Sequence, residues 1–514
     1  MPATVLSATV HGLDGVPVVV EIDLQRGLRA FQLVGLPSPA VRESRERVAA
    51  ALANCGHALP DKHLTVNLAP ADLPKEGAGF DLAIALGVLI ASGQCPAGRL
   101  DGACVLGELG LDGGVRQVRG VLPIAIAMRA GGARRLLVPA PNAAEARLVP
   151  GVEVIACASL SEAVAWAAGA RCGNGAALAA SHDILAPAAA RSETEPGAPD
   201  FAHVFGQDVA KRALAVAAAG GHHVLLSGPP GVGKSMLARC LPGLLPPLAP
   251  AEALDVRRVL SVCGRHDAAA APDVRRPFRA PHHTVSIAGL AGGGRPLVPG
   301  EITLAHHGVL FLDEVPEFPR HLLDLLRQPL EDGAILLARA NHTIRYPARF
   351  QMVAAMNPCK CGWLGHPKRP CRCTPGDVER YRAKISGPIL DRIDLRIEVS
   401  VPPLEHVGRV GDVAECVRLR ERIAAARARQ ADRYANIDGV HCNAQAGSRE
   451  RRTLIRARRE AELLLRRAMT RWTLSVRAYE RTLAVARTIA DLDGASDVDA
   501  HHVAEALQYR LPSS

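Results

Sequence analysis

His223-Val-Leu-Leu-Ser-Gly228-Pro229-Pro230-Gly231-Val232-Gly233-Lys234-Ser235 is the stretch from which the fold can be read. His223–Ser227 is a short apolar strand, and Gly228 to Ser235 satisfies G-x-x-x-x-G-K-[ST] at every fixed position. A glycine-rich turn between a strand and a helix lets backbone N–H groups surround phosphate oxygens. The helix N-terminus, opening at Lys234, adds positive potential. Gly228, Pro229, Pro230, Gly231, Val232 and Gly233 then form the cradle, Lys234 reaches the β- and γ-phosphates, and Ser235 coordinates Mg²⁺. The chain has only seven lysines, so one at this position is informative.

Further along comes His307-Gly-Val-Leu-Phe-Leu-Asp313-Glu314, an apolar strand ending in two carboxylates. ATP hydrolysis needs that pair: Asp313 holds the Mg²⁺ shell and Glu314 polarises the attacking water. Such a strand end is common alone and gains weight from its order after the first motif. Phe350–Asn357 is a third buried-looking strand ending in an amide. Asn357 is placed to orient water near a γ-phosphate, although an isolated Asn there would read as a cap. Strands alternating with helical runs from Phe201 to Val401 predict a parallel sheet flanked by helices.

Outward from this core, residues 1–170 read as a separate mixed α/β domain. Val5–Val20 and Leu64–Asn67 are β-branched strand candidates, and Arg42–Cys55, Phe80–Ala91 and Val121–Ala130 are helical. Residues 171–200 collapse to Ala, Gly, Pro and Ser, the composition of a linker. Residues 402–514 carry Arg/Ala/Leu-rich helices and no strand pattern. The 514 residues are 48% hydrophobic and 22% charged, enough for about three packed domains. Aromatics at 3% argue against recognition by stacked rings, while a net charge of +10 favours an anionic partner, nucleic acid before membrane. A solvated surface charge is the plainer alternative. The start of the chain lacks a secretory pattern, and no stretch has the length of a membrane span. Thirteen cysteines in such a chain suggest thiols in a reducing cytosol, so a cytoplasmic location is expected.

Taken together, Phe205-Gly206-Gln207, GPPGVGKS, LFLDE, AAMNPC and Gly387-Pro-Ile-Leu-Asp-Arg-Ile-Asp394 resemble the magnesium-chelatase-like branch of the AAA+ ATPases, specifically the ComM (YifB) family. The likeness extends to Val34–Pro39 and to Leu474–Asp493. It implies an AAA+ P-loop core over 201–401, a helical lid over 402–514, and an amino-terminal Lon-protease-like (ribosomal S5 domain 2-like) domain. It also implies ATP and Mg²⁺ as cofactors, a homo-hexameric ring, and a DNA helicase that migrates branches during natural transformation. Gln207 is carried over as a nucleotide-binding residue. Arg392 matches the finger reaching a neighbour's nucleotide, and Arg477 in SVRAYER matches the sensor-2 arginine of the lid. A salt bridge to Asp391 or Asp394 is the alternative for Arg392. Phe278–Gly294 resembles a loop insertion, and Gly333–Tyr346 a β-hairpin carrying Arg339 and Arg345 toward a central channel, where they would grip phosphates without reading sequence. The Lon-like loop Pro74–Asp81 contains no serine, so a Ser–Lys dyad cannot assemble there.

Cys359-x-Cys361 and Cys371-x-Cys373 make a symmetric four-thiol set directly after the third strand. Four thiolates can complete a tetrahedral, structural Zn²⁺ shell. The C-x-C spacing is tighter than usual, and free or redox-active thiols are the alternatives. Lys368 and Arg369 at the tip would face DNA. His282 and His283 read as polar loop residues rather than metal ligands. Arg449–Arg471 is dense in arginine, with Leu454, Leu463, Leu464 and Leu465 giving an apolar stripe, and is either a DNA-facing surface on the lid or a solvated helix face that packs on the ATPase core. Two functions compete at this stage: a DNA motor and a chelatase-type motor acting on a protein partner. The chemistry is the same in both.

Overall fold

The computed structural model describes residues 2–170, 200–265, 275–294, 297–339, 342–401 and 412–510. The linker reading over 171–200 therefore lies almost wholly outside the described residues. In the amino-terminal domain, β1 (Ala3–His11) and β2 (Asp14–Gln25) form an antiparallel hairpin. This corrects the single strand expected over Val5–Val20. The reversal has a local cause, since Gly12 sits at φ 66°, a conformation glycine adopts without strain. The domain continues through β3 (Ala30–Val34), α1 (Ser44–Asn54), β4 (His63–Ala69), α2 (Asp81–Ala91), β5 (Ala103–Val105), α3 (Val121–Ala130), β6 (Arg135–Pro139) and β7 (Glu153–Cys157). Its mixed sheet has the order β3-β4-β2-β1-β5-β6-β7.

Helix α2 is apolar on every side, and its residues 81–89 are all buried. Its first residue, Asp81, is buried too, so its carboxylate needs partners. It accepts from Arg47 Nε at 2.6 Å, from the Leu109 N–H at 3.2 Å and from Ser44. Lys75 is buried, with its ammonium on the Pro70 carbonyl.

The second domain holds α4 (Asp208–Gly220), β8 (Val224–Ser227), α5 (Lys234–Cys240), α6 (Pro250–Val262), β9 (Phe278–Arg279), β10 (Val309–Leu312), α7 (Arg327–Asp332), β11 (Ala334–Arg339), β12 (His342–Pro347), β13 (Gln351–Met356) and β14 (Leu395–Glu398). The core sheet runs β9-β10-β13-β8-β14, and every pairing in it is parallel. All six residues of β13 are buried, as expected where helices cover both faces. Phe278–Gly294 is only partly a loop insertion, because Phe278 and Arg279 pair with Val309 and Leu310 as the sheet's edge. Two residues are too few for periodicity to reveal a strand. The hairpin expected over Gly333–Tyr346 is present as β11 and β12, in register from Ala334–Pro347 to Arg339–His342.

The lid contains α8 (Val413–Arg433), α9 (Arg459–Trp472), α10 (Val476–Leu492) and α11 (Ala500–Gln508). Helix α10 is the hub, packing on α4, α8 and α11. Arg449–Arg471 is not one helix: the chain breaks after Leu454, where the Arg458 N–H donates to Val498 O. Leu465 is buried, Leu464 half-buried and Leu463 45% exposed, so the three do not form one stripe. Consecutive helical residues are turned away from one another.

The amino-terminal domain docks on the core through α3 against α6. Ser261 accepts from the Gly120 and Leu122 N–H groups at 3.1 and 3.4 Å. Arg258 reaches from α6 to Leu13 O at 2.9 Å and Asp14 Oδ1 at 2.7 Å in the β1–β2 turn. Leu13 joins the apolar cluster of the core domain. Among the described residues, no helix is long and apolar enough to cross a membrane.

Candidate active site

The carboxyl ends of the central strands β8, β10 and β13 meet at one cavity. It is lined by Pro230, Gly231, Gly233, Lys234, Ser235, Met236, Asp313, Glu314, Met356 and Asn357. This is where an open parallel sheet places a ligand. Gly231 and Gly233 adopt φ 80° and 91°, which turns the loop back on itself before α5. At Gly228 the reason for glycine is proximity: a Cβ would stand 2.2 Å from Val399 O. The Gly228 N–H donates to Met356 O at 3.2 Å, tying the loop to β13.

Lys234 is buried, and its ammonium donates to Gly228 O at 2.7 Å, Pro229 O at 2.8 Å and Asn357 Oδ1 at 3.1 Å. Burial lowers its pKa, opposed by Asp313 and Glu314. Ser235 Oγ donates to Asp313 Oδ2 at 2.7 Å, so oxygen ligands from the first turn of α5 and from the end of β10 converge. That donor set suits Mg²⁺, a hard cation bound through few side chains plus phosphate oxygens. Glu314 follows at φ 49°, unusual for a residue with a side chain, and its N–H donates to Asp313 Oδ1 at 3.0 Å. Glu314 lines the cavity beside Asp313.

Of the residues expected at the nucleotide, Gly228, Pro229 and Val232 belong to the phosphate loop without lining the cavity, and Gln207, Arg392 and Arg477 stand apart from it. Gln207 at φ 62° donates to Ser400 O at 2.6 Å and Val232 O at 3.5 Å, spanning the end of β14 and the phosphate loop. It holds the loop from behind. Arg392 is buried: it donates to Pro388 O at 2.5 Å and pairs with Glu331 of α7. Arg477, at the start of α10, reaches the same carboxylate at 3.5 Å. Arg392 pairs with neither Asp391 nor Asp394, since Asp394 is engaged by Arg481 at 2.6 Å, which also donates to Arg392 O at 2.7 Å. Burial opposes the Asp394 charge, but Arg481 and His222 outweigh it and hold the pKa well below the usual carboxylate range. Met236 and Met356 in the cavity wall, and Glu331 and Arg481 beside the arginines, are functional-region residues that sequence reasoning missed. Arg481 had a signal, one helical turn beyond Arg477 in the same motif. Glu331 had none, lying far from both arginines in the chain.

The four thiols also come together. Cys359 Sγ lies 3.4 Å from that of Cys361 and 3.6 Å from that of Cys371, and Cys361 and Cys371 are 3.6 Å apart. All four Sγ atoms lie within 4.8 Å of one another. At the tip Arg369 stacks over Trp363 at 4.4 Å, and Lys368 is exposed. His282 bonds Thr284 at 2.9 Å, consistent with a polar loop.

A phosphate loop, two carboxylates at the neighbouring strand end and a strand-end amide, on a five-stranded parallel sheet under a helical lid, define an AAA+ nucleotide-binding protein. The family model described as magnesium chelatase, subunit ChlI, matches residues 200–407. Two companion models match 20–142 (subunit ChlI of Mg-chelatase) and 414–510 (subunit ChlI C-terminal). A Mycobacterium tuberculosis protein is 44% identical over 512 residues, covering 98% of this chain and 97% of its own. The competence protein ComM of Haemophilus influenzae is 42% identical over 509 residues (99% and 97%). YifB of Escherichia coli is 40% identical over 502 residues (97% and 95%). The chain belongs to the YifB/ComM family of magnesium-chelatase-like AAA+ proteins.

Proposed function

We propose that this chain is an ATP hydrolase that assembles as a homo-hexameric ring and couples hydrolysis to movement along DNA. In this reading it is a branch-migration helicase of natural transformation and homologous recombination, working in the cytoplasm. The observation that carries the reading is the division of the machinery. Lys234, Ser235, Asp313, Glu314 and Asn357 share one cavity, while Arg392 and Arg477 converge on Glu331 outside it. Arginines set apart from their own chain's phosphates are suited to completing the site of an adjacent subunit, which ties hydrolysis to ring motion.

Glu314 orients the attacking water, Lys234 binds the β- and γ-phosphates, and Asn357 fixes both the lysine and the water. Ser235 and Asp313 hold Mg²⁺, which neutralises phosphate charge and templates the triphosphate. The four thiols take a structural Zn²⁺. In this reading Arg345, exposed on the hairpin β11–β12, faces a channel of the ring, where contact with a phosphate backbone is independent of sequence. The net charge of +10 and the competence-protein relative support DNA as the partner. The amino-terminal domain serves as a non-proteolytic scaffold, with Lys75 committed to a backbone carbonyl.

The chelatase-named family models favour a second reading, a motor that remodels a protein partner. ATPase assays with single-stranded, duplex and four-way-junction DNA separate the two. Stimulation by at least one DNA is expected, and stimulation by none would give the protein-remodelling reading the field.

A further inference from the structure

Sensor strand β13 does not simply end at the nucleotide cavity. Only Pro358 separates Asn357, which contacts Lys234, from Cys359, whose side chain is fully buried. Gly362 follows Cys361 at φ 83° and lies against Pro230, a wall of the phosphate cavity. A Cβ on Gly362 would stand 2.9 Å from Pro230 Cδ and 3.3 Å from its Cγ, so the contact leaves no room for a side chain. On the far side, Pro358 O accepts from Arg382 Nε at 3.3 Å, in a helix (Pro375–Arg382) that Thr374 caps immediately after Cys373. The thiol cluster is thus wedged between the sensor amide, the phosphate loop and a capped helix.

The spacing of the sulfurs indicates what the cluster binds. A tetrahedral zinc with Zn–S bonds of about 2.3 Å sets its sulfurs roughly 3.8 Å apart. Cys359, Cys361 and Cys371 are mutually 3.4 to 3.6 Å apart, a three-way closeness that a pairwise sulfur–sulfur bond does not produce. Each C-x-C pair encloses a basic residue, Lys360 in one and Arg372 in the other. Two cations beside four thiolates offset the double negative charge of the loaded site. With four thiolates the shell is closed, so the metal is structural.

We infer that Cys359, Cys361, Cys371 and Cys373 bind one soft divalent ion, zinc, as a strut that holds the phosphate loop through Gly362 and Pro230. Metal occupancy then sets nucleotide affinity. Without the ion, the Cys359–Cys373 segment loses its closure, and Pro230 and Asn357 lose a rigid neighbour on the same side of the cavity. This rests on the cavity binding nucleotide, and the test separates the two claims.

The full-length protein, purified without chelator, is expected to contain one zinc per chain by elemental analysis. Cys371→Ser combined with Cys373→Ser is expected to lose the zinc and to bind a fluorescent ATP analogue at least about tenfold more weakly. Gly362→Val is expected to keep the zinc and still weaken the analogue, which isolates the strut from the metal and remains informative if the double variant fails to fold. Lys234→Ala is expected to keep the zinc and lose the analogue; retained affinity there would reject the phosphate site, not the strut. Absence of zinc from the wild-type protein overturns the metal site. Unchanged nucleotide affinity in Gly362→Val overturns the coupling.

Discussion

Arg392 and Glu331 form a buried-to-surface ion pair that joins the end of the ATPase core to α7, directly ahead of the β11–β12 hairpin. The guanidinium side chain is 8% exposed and the carboxylate 43%, and the same carboxylate also meets Arg477 of the lid at 3.5 Å. One glutamate therefore pairs with both Arg392, the match to a finger reaching a neighbour's nucleotide, and Arg477, the sensor-2 match of the lid. Arg392 Nε is buried without a hydrogen-bond partner, so the arginine's environment is incompletely satisfied as it stands.

Glu331→Gln is expected to release both arginines and raise basal ATP turnover severalfold. Thermal stability should fall by about 1–2 kcal/mol, less than for a fully buried pair because water screens the carboxylate. Steady-state ATPase and thermal unfolding check this. Unchanged turnover with lowered stability would make the pair purely structural.

Glu314→Gln keeps the shape of the cavity and removes the base. Binding of ATP should persist while turnover drops about a hundredfold or more. Rings should accumulate in the bound state, visible by light scattering. Normal turnover would remove Glu314 from the role of water-orienting group.

Arg392→Ala should bind ATP and hydrolyse it poorly, while Lys234→Ala should not bind it. Mixing the two is expected to restore part of the activity, because an intact Lys234 cavity can then face an intact Arg392. Titration across mixing ratios is the measurement. Failure of rescue at every ratio would place Arg392 outside the neighbour's site.

His307, at φ 57° just before β10, sits 3.4 Å from Glu252 and 3.6 Å from Asp255 of α6. Burial pulls its pKa down, but the bonds to Asp255 and Glu252 outweigh that and raise it. Glu252 is lowered to about 2: burial opposes the shift, while His307 and Arg276 drive it. The stability from a raised histidine is complete below its unfolded pKa of about 6.5 and is lost as pH rises through the folded value. That from Glu252 is present above about 4.5 and fades as pH falls. His307→Asn should flatten the decline in stability as pH rises above about 6.5, read from denaturant midpoints. An unaltered pH profile would exclude His307 as its source.

Much of the site was legible because its chemistry is local. A strand, a glycine turn and a helix in sequence order place Lys234 and Ser235 with no help from the rest of the chain, and the same holds for the strand that carries Asp313 and Glu314. The four cysteines were legible for a similar reason, since closely spaced pairs on a short loop need little else to meet. The edge strand Phe278–Arg279 was not, because two residues have no readable period. Composition alone does not assign Leu463 to a face: it is exposed while Leu465, two residues on in the same helix, is buried, because residues two apart on a helix point to different sides.

The phosphate loop, its carboxylates and the thiol set are thus written into the amino-acid order, where neighbours along the chain already dictate the geometry. Tertiary structure alone decided that Arg392 and Arg477 share Glu331, that Leu13 enters the core of the second domain, and that Gly362 presses on Pro230. Each of those contacts joins segments far apart in the chain. Only packing of the whole sheet and lid brings them within reach, and no local propensity encodes it.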